Sequence, residues 1–214
     1  MTPRRLAAAT AAAAAALSLA LASPASAATA PSGTKSLAAV LTADGDQFDR
    51  NWYDYDIVTQ AVLAVLAAKP ASPVGLLTQG DVALTAFIPN DRAFQLLAYD
   101  ITKKWSWSEK GVFESLAGAV GIDAIESVLL YHVVPGATID SATALGADGV
   151  KVDTALPGAS FTVDVLSKRY VIVRLIDNDR NDIDAYLNRR ALDINKGNLQ
   201  IAHGVLFVLR PLDL

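Results

Sequence analysis

From Asp56 onward, Ile57, Ala61, Val62, Val65 and Leu66 recur at three- and four-residue intervals, the spacing of a helix that buries one face. Asp54 and Asp56 stand before this run as candidate caps, and Pro70 and Pro73 stop it. The pattern then changes. Val82 to Ile88 is a short, continuous apolar run that breaks at Pro89, as a core strand does, and Asn90 caps a following helix carrying Phe94 and Leu97. Ser106 and Glu109 have capping-box spacing, and Val112, Phe113, Leu116, Ala119 and Val120 carry the helical period to Gly121. A second helix follows at once from Ile122 to Leu130, opened by Asp123. Its stripe of Ile125, Val128 and Leu129 delivers Tyr131 and His132 to the helix end, where Pro135-Gly136 turns the chain.

The last third alternates differently. Phe161 to Val165 and Tyr170 to Val173 are rich in β-branched and aromatic residues, with Ser167-Lys168 as the hairpin between them. Two further strands are expected at 199–202 and 205–208. Helices in the first half and strands mostly in the second predict an α+β domain rather than a parallel α/β sheet.

The N-terminus adds an address. Arg4 and Arg5 precede an Ala/Leu-rich run from Leu6 to Leu21, and Ala25-Ser26-Ala27 supplies the small residues of a cleavage site. The expectation is a signal peptide over 1–27, cleaved after Ala27, then a short linker over 28–36 and one domain over 37–214. The mature protein is then secreted. Without cysteine the chain has neither disulfides nor a lipid-anchor site, and no stable membrane anchor is expected after cleavage. The net charge is −4, and loss of Arg4 and Arg5 with the signal makes the remainder more acidic, which excludes nucleic acid as the expected partner.

Candidate chemistry is sparse. Neither G-x-S-x-G, H-E-x-x-H, G-x-G-x-x-G nor a Walker sequence occurs, so no catalytic residue, cofactor or resident metal is expected. Asp177-Asn178-Asp179-Arg180-Asn181 begins like a calcium loop, making Asp177, Asp179 and Asn181 weak Ca²⁺ candidates. Asp182 nevertheless stands where such a loop needs glycine, Asn188 where it needs glutamate, and Arg180, Arg189 and Arg190 are expected to neutralise the acids. Trp52, Tyr53 and Tyr55, beside Asn51, Asp54 and Asp56, form a candidate aromatic platform for a sugar or a protein hot spot; Trp105 and Trp107 repeat the composition. Alternatively, both segments pack onto the core ahead of their helices. His132 reads as a buried strut bonded to Thr85 or to the Asn90/Asp91 cap, the other possibility being a general base, paired with a nearby carboxylate, in a secreted hydrolase.

Three segments together resemble the fasciclin (FAS1) family. Leu84 to Phe94, with Thr85, Phe87, Pro89, Asn90, Asp91 and Phe94, is similar to its first box. Leu130 to Gly136, with Tyr131, His132 and Gly136, is similar to its Tyr-His motif. Gly197 to Leu206 is similar to its closing box, with Lys196, Gln200 and His203 standing where asparagine, histidine and aspartate are usual. The resemblance implies a FAS1-like fold, a β-sandwich-like wedge of strands flanked by several α-helices. It also implies a non-catalytic adhesion or interaction module whose partners are extracellular or cell-surface proteins or polysaccharides. The three boxes are its interaction and structural motif, and Tyr131 and its apolar neighbours are a possible recognition surface.

Overall fold

A computed structural model describes residues 32–213 apart from residues 44 and 46. The expected signal peptide and the first part of the linker lie outside the described residues. Residues 32–36 do not hang free: Ser32 and Gly33 donate their backbone N–H groups to the Gly197 carbonyl, and the Ser36 hydroxyl caps the short helix α1 (Leu37–Leu41).

The periodic segments become helices, with caps that differ from expectation in instructive ways. The helix α2 (Asp56–Ala68) receives no cap from its own flank; Asp91 Oδ1 accepts the Ile57 N–H at 2.9 Å from the far side of the following strand. A 3₁₀ turn (Pro73–Thr78) leads to the strand β1 (Leu84–Pro89), and Asn90 caps α3 (Asp91–Thr102) through the Ala93 N–H as its sequence predicts. Ser108 caps α4 (Glu109–Tyr131), while the Ser106 hydroxyl donates to the Ser108 carbonyl instead. The two expected helices of this region join into α4 through a kink at Gly121, whose φ of 77° is open to glycine at little cost.

Strand β2 (Val133–Pro135), the short helix α5 (Ser141–Ala144) and strands β3 (Lys151–Asp153), β4 (Ser160–Ser167), β5 (Ile172–Ile176), β6 (Ala185–Tyr186) and β7 (Gln200–Val205) complete the chain. The closing segment contains one strand rather than two, because pairing with β1 ends at Val205. The sheets have the orders β2-β1-β7, with β1 and β7 parallel, and β3-β4-β5-β6, antiparallel throughout. The fold is α+β, two sheets with helices against one of them.

Strand β1 divides the interior in two. Leu84, Ala86 and Ile88 face a core made with α2, α3 and α4; Phe87 faces a second core between the sheets, made with Phe161, Val163, Val173, Leu175 and Val205. Alternate side chains therefore bury on opposite faces, and every residue of β1 and β7 is buried.

The Tyr-His pair belongs to this interior. Tyr131 is 0% exposed, donates its hydroxyl to the Ser160 carbonyl at 2.9 Å and meets Phe161 edge-on, so it offers no recognition surface. His132 is a strut, but between other partners than expected: Nδ1–H donates to the Val128 carbonyl at 2.7 Å, and Nε2 accepts the Leu209 N–H at 2.9 Å. The expected partners are engaged elsewhere. Thr85 Oγ1 donates to the Ala137 carbonyl and accepts the Ile139 N–H, and His132 reaches β1 through its own carbonyl, which accepts the Phe87 N–H. His203, 0% exposed, repeats the device with the opposite tautomer, Nε2–H donating to Ile139 and Nδ1 accepting from Asp193.

Beyond Leu209 the chain is held by a cation. The Arg210 guanidinium pairs with Asp100 of α3 at 2.8 Å, Asp182 at 2.8 Å and Asp179 at 3.4 Å, and its backbone N–H donates to Asp177 at 2.7 Å. Arg210 thus neutralises the acidic loop. Among the described residues Arg180, Arg189 and Arg190 make no ion pair, contrary to expectation, because neighbours along the chain need not be neighbours in space. Burial pushes the Asp177 carboxyl up to about 7 and the Asp182 carboxyl up to about 6.

Replacing His132 with Ala strands the buried Leu209 N–H and is expected to cost about 1–3 kcal/mol in urea melts. The deficit carries a pH signature. Burial holds the ring near 4, against about 6.5 in the unfolded chain. Protons therefore favour the unfolded state between these values, and the contribution of a neutral His132 is complete above pH 6.5 and lost as the pH falls towards 4. The stability advantage of the natural protein over His132→Gln should shrink by up to about 3 kcal/mol across that window. Replacing Arg210 with Met leaves buried Asp179 and half-buried Asp182 without their counter-charge. A loss of about 3–5 kcal/mol is expected, partly restored when Asp182→Asn is added, as a double-mutant cycle in urea would measure.

Candidate recognition face

The segment before α2 turns on its own side chains: Asp49 Oδ1 accepts the Asn51 N–H at 2.5 Å and Asn51 Oδ1 accepts the Tyr53 N–H at 3.3 Å. These turns aim the three aromatic residues apart. Tyr53 is 77% exposed, whereas Trp52 and Tyr55 are half-buried and pack against the helical core. Tyr55 also passes over β7, where a Cβ on Gly204 would stand 2.7 Å from its hydroxyl oxygen. The predicted platform is therefore divided, with one ring outside and two inside.

A second aromatic group assembles instead. The rings of Tyr99, Trp105 and Trp107 follow one another at centroid distances of 5.5 and 5.6 Å, with Trp107 78% exposed. Arg92 lies over Trp105 at 5.1 Å, donates to Gln95 Oε1, and gives its backbone N–H to the Trp52 carbonyl, so it ties this group to the segment that carries Tyr53. The sequence signal was present in Trp105 and Trp107; the contribution of Tyr99 and Arg92 depends on the turn between α3 and α4.

Tyr53 also lines an open groove of about 780 Å³, shared with Asn90, Val171, Asn188, Arg189, Arg190 and Leu206. Both arginines are exposed and, among the described residues, neither guanidinium has a carboxylate in ion-pair reach. Val171 closes the β4–β5 hairpin with φ at 51°, a left-handed conformation that a β-branched residue adopts only under strain. The same hairpin exposes Lys168, Arg169 and Tyr170, with Arg169 over the Tyr170 ring. A protein of net charge −4 thus presents unpaired cations beside an open aromatic ring.

The remaining candidates sort by burial. Thr85, Phe87, Pro89, Asn90, Asp91 and Phe94 are buried with Tyr131, and only Gly136, at φ 77° in the turn after β2, reaches the surface. The motif residues are scaffold. His132 has both ring nitrogens engaged, is 4% exposed and has its basicity suppressed by burial, so it has no free lone pair to act as a base. Among Asp177, Asp179 and Asn181, the two acids are buried and turned towards Arg210, with Asp179 Oδ1 accepting the Asn181 N–H.

One grouping has no counterpart in the sequence patterns. Asp54, Asp91 of α3 and Glu109 of α4 converge, each with a carboxylate oxygen within 4.8 Å of the others. Burial first, then the close approach of the Asp54 carboxylate, pushes the Asp91 carboxyl up to about 9, and burial also raises Glu109. These acids come from three separate elements, two of them in first helical turns where an acid ordinarily complements the helix dipole.

Comparison with known proteins bears on most of the chain. The solved structure of a FAS1 domain pair from the insect cell adhesion molecule fasciclin I is similar with a TM-score of 0.49 and 15% identity, over 71% of this chain and 46% of that one. This chain therefore spans about half of that protein's length. A comparison with curated proteins finds no match. The model of the fasciclin domain matches residues 59–208, from α2 through β7, and the chain belongs to the fasciclin domain family.

Proposed function

We propose that this protein is a secreted interaction module that binds acidic polysaccharide at or outside the cell surface, through the face containing Tyr53, Arg189 and Arg190. The observation that carries this reading is the pairing of an open tyrosine ring with two unpaired guanidiniums in one groove. A flat aromatic ring stacks on the apolar face of a sugar, and a guanidinium fork matches a carboxylate or sulfate on it. Trp107 and Tyr99 extend the aromatic surface beyond the groove. Membership of the fasciclin domain family supports binding rather than turnover, and the engagement of His132 on both ring nitrogens removes the base on which a hydrolase would depend. Export rests on the Arg4-Arg5, apolar and Ala25-Ser26-Ala27 sequence.

Titration of the protein with a polyuronate, followed by tryptophan fluorescence and calorimetry, is expected to show binding that weakens as salt rises, because exposed charges are screened. Arg189→Ala with Arg190→Ala, and separately Tyr53→Ala, should each weaken it about tenfold or more while leaving the urea midpoint unchanged. A neutral glucan should bind less tightly by a similar factor. Binding that is indifferent to all three substitutions, or confined to protein partners, would overturn this assignment.

A further inference from the structure

We propose that Asp54, Asp91 and Glu109 form a calcium site, with Asp49 and Asp56 at its outer edge. The site goes beyond the recognition face and does not depend on it.

Two independent observations carry it. The first is convergence: Asp54 belongs to two groups of carboxylates, one with Asp91 and Glu109 and one with Asp49 and Asp56, and within each group an oxygen of every residue lies within 4.8 Å of the others. The second is that buried oxygens are left over. Asp91 is 0% exposed and Glu109 1%, yet Asp91 Oδ2 and Glu109 Oε1, together with Asp54 Oδ1, are buried without a hydrogen-bond partner. The opposite oxygens of two of these carboxylates are held by backbone: Ile57 N–H donates to Asp91 Oδ1 at 2.9 Å and Asp49 N–H to Glu109 Oε2 at 2.6 Å. Each of these carboxylates is thus oriented by one oxygen and left unsatisfied at the other, as hydrogen bonds from surrounding backbone orient metal ligands.

The charge needs an external balance. Among the described residues no lysine or arginine forms an ion pair with Asp54, Asp91 or Glu109, whereas the acids around Arg210 have theirs. An unpaired buried oxygen is costly. The donor set is all carboxylate, which selects a hard cation. Calcium bonds of about 2.3–2.6 Å tolerate oxygens placed on opposite sides of the ion and an irregular set, whereas Mg²⁺ demands a tighter octahedron at about 2.0–2.1 Å. Exposed Asp49 and half-buried Asp54 give the ion a route from solvent to the buried pair.

The test uses the full chain, stripped with EDTA and titrated with CaCl₂ by calorimetry and by thermal melting. One ion per chain is expected, with the melting temperature rising about 3–6 °C at a concentration about tenfold above Kd. MgCl₂ should give a smaller shift. Asp54→Asn and Glu109→Gln should each abolish the heat and the shift, while Asn181→Ala, in the other acidic loop, leaves both intact. Terbium luminescence excited through tryptophan gives a second readout that does not depend on stability, and it too should vanish in Asp54→Asn, where the altered side chain is only half-buried. A titration flat to about 10 mM, beyond the range of extracellular calcium modules, would overturn the site and leave a proton shared by Asp54 and Asp91 as the balancing charge. Binding that survives Asp54→Asn and Glu109→Gln, or a larger shift with MgCl₂, would overturn it equally.

Discussion

Burial of the parallel pair formed by residues 84–89 and 200–205 is the constraint on which the remaining structure depends. With both faces of these strands withdrawn from water, their backbone groups bond to each other, to β2 and to the backbone of residues 188–194 that runs along the outer edge of β7. One face then requires a helical layer and the other requires the antiparallel sheet. The register sets the contacts: Phe87 stands opposite His203 and meets Phe161 edge-on at 5.3 Å. Polar side chains of β7 tie in more distant segments. Gln200, fully buried, accepts the Leu37 N–H and donates to the carbonyls of Leu76 and Gln79, holding α1 and the 3₁₀ turn against the sheet.

This arrangement explains why most of the residues that carry the family resemblance lie inside the molecule. Thr85, Asn90, Tyr131 and His132 use their polar atoms on caps, turns and struts inside the molecule, and Asp91 uses one of its two carboxylate oxygens in the same way. The exposed rings and unpaired cations lie instead at the periphery, on the segment before α2, the α3–α4 turn, the β4–β5 hairpin and residues 188–190, where the proposed recognition face is built. Loops tolerate variation better than the scaffold that positions them.

Legibility in the sequence followed the range of the determining interactions. Helices α2 and α3, the strand β1, the kink at Gly121 and the β4–β5 hairpin were readable because their periodicity, caps and glycine act within a few residues. The short elements α1, β2, β3 and β6 were not, since segments of two to five residues form only when a distant partner is already there. The same reason hid the partner of His132, which is 77 residues further along the chain. It also misdirected the charge balance of the Asp177 loop towards nearby arginines when Arg210 supplies it. Asp54, Asp91 and Glu109 each looked like a helix cap, and only the packing of three helix starts brings them together.

Arg210 gives the C-terminal acids a counter-ion that no change of medium can remove, because a guanidinium stays charged at any pH a protein meets and is covalently part of the chain. The acids at Asp54, Asp91 and Glu109 have no such tether among the described residues. One fold therefore contains a closed electrostatic circuit and an open one. The closed circuit is invisible to its surroundings, while the open one makes the seam between α2, α3 and α4 responsive to the ionic composition of the medium.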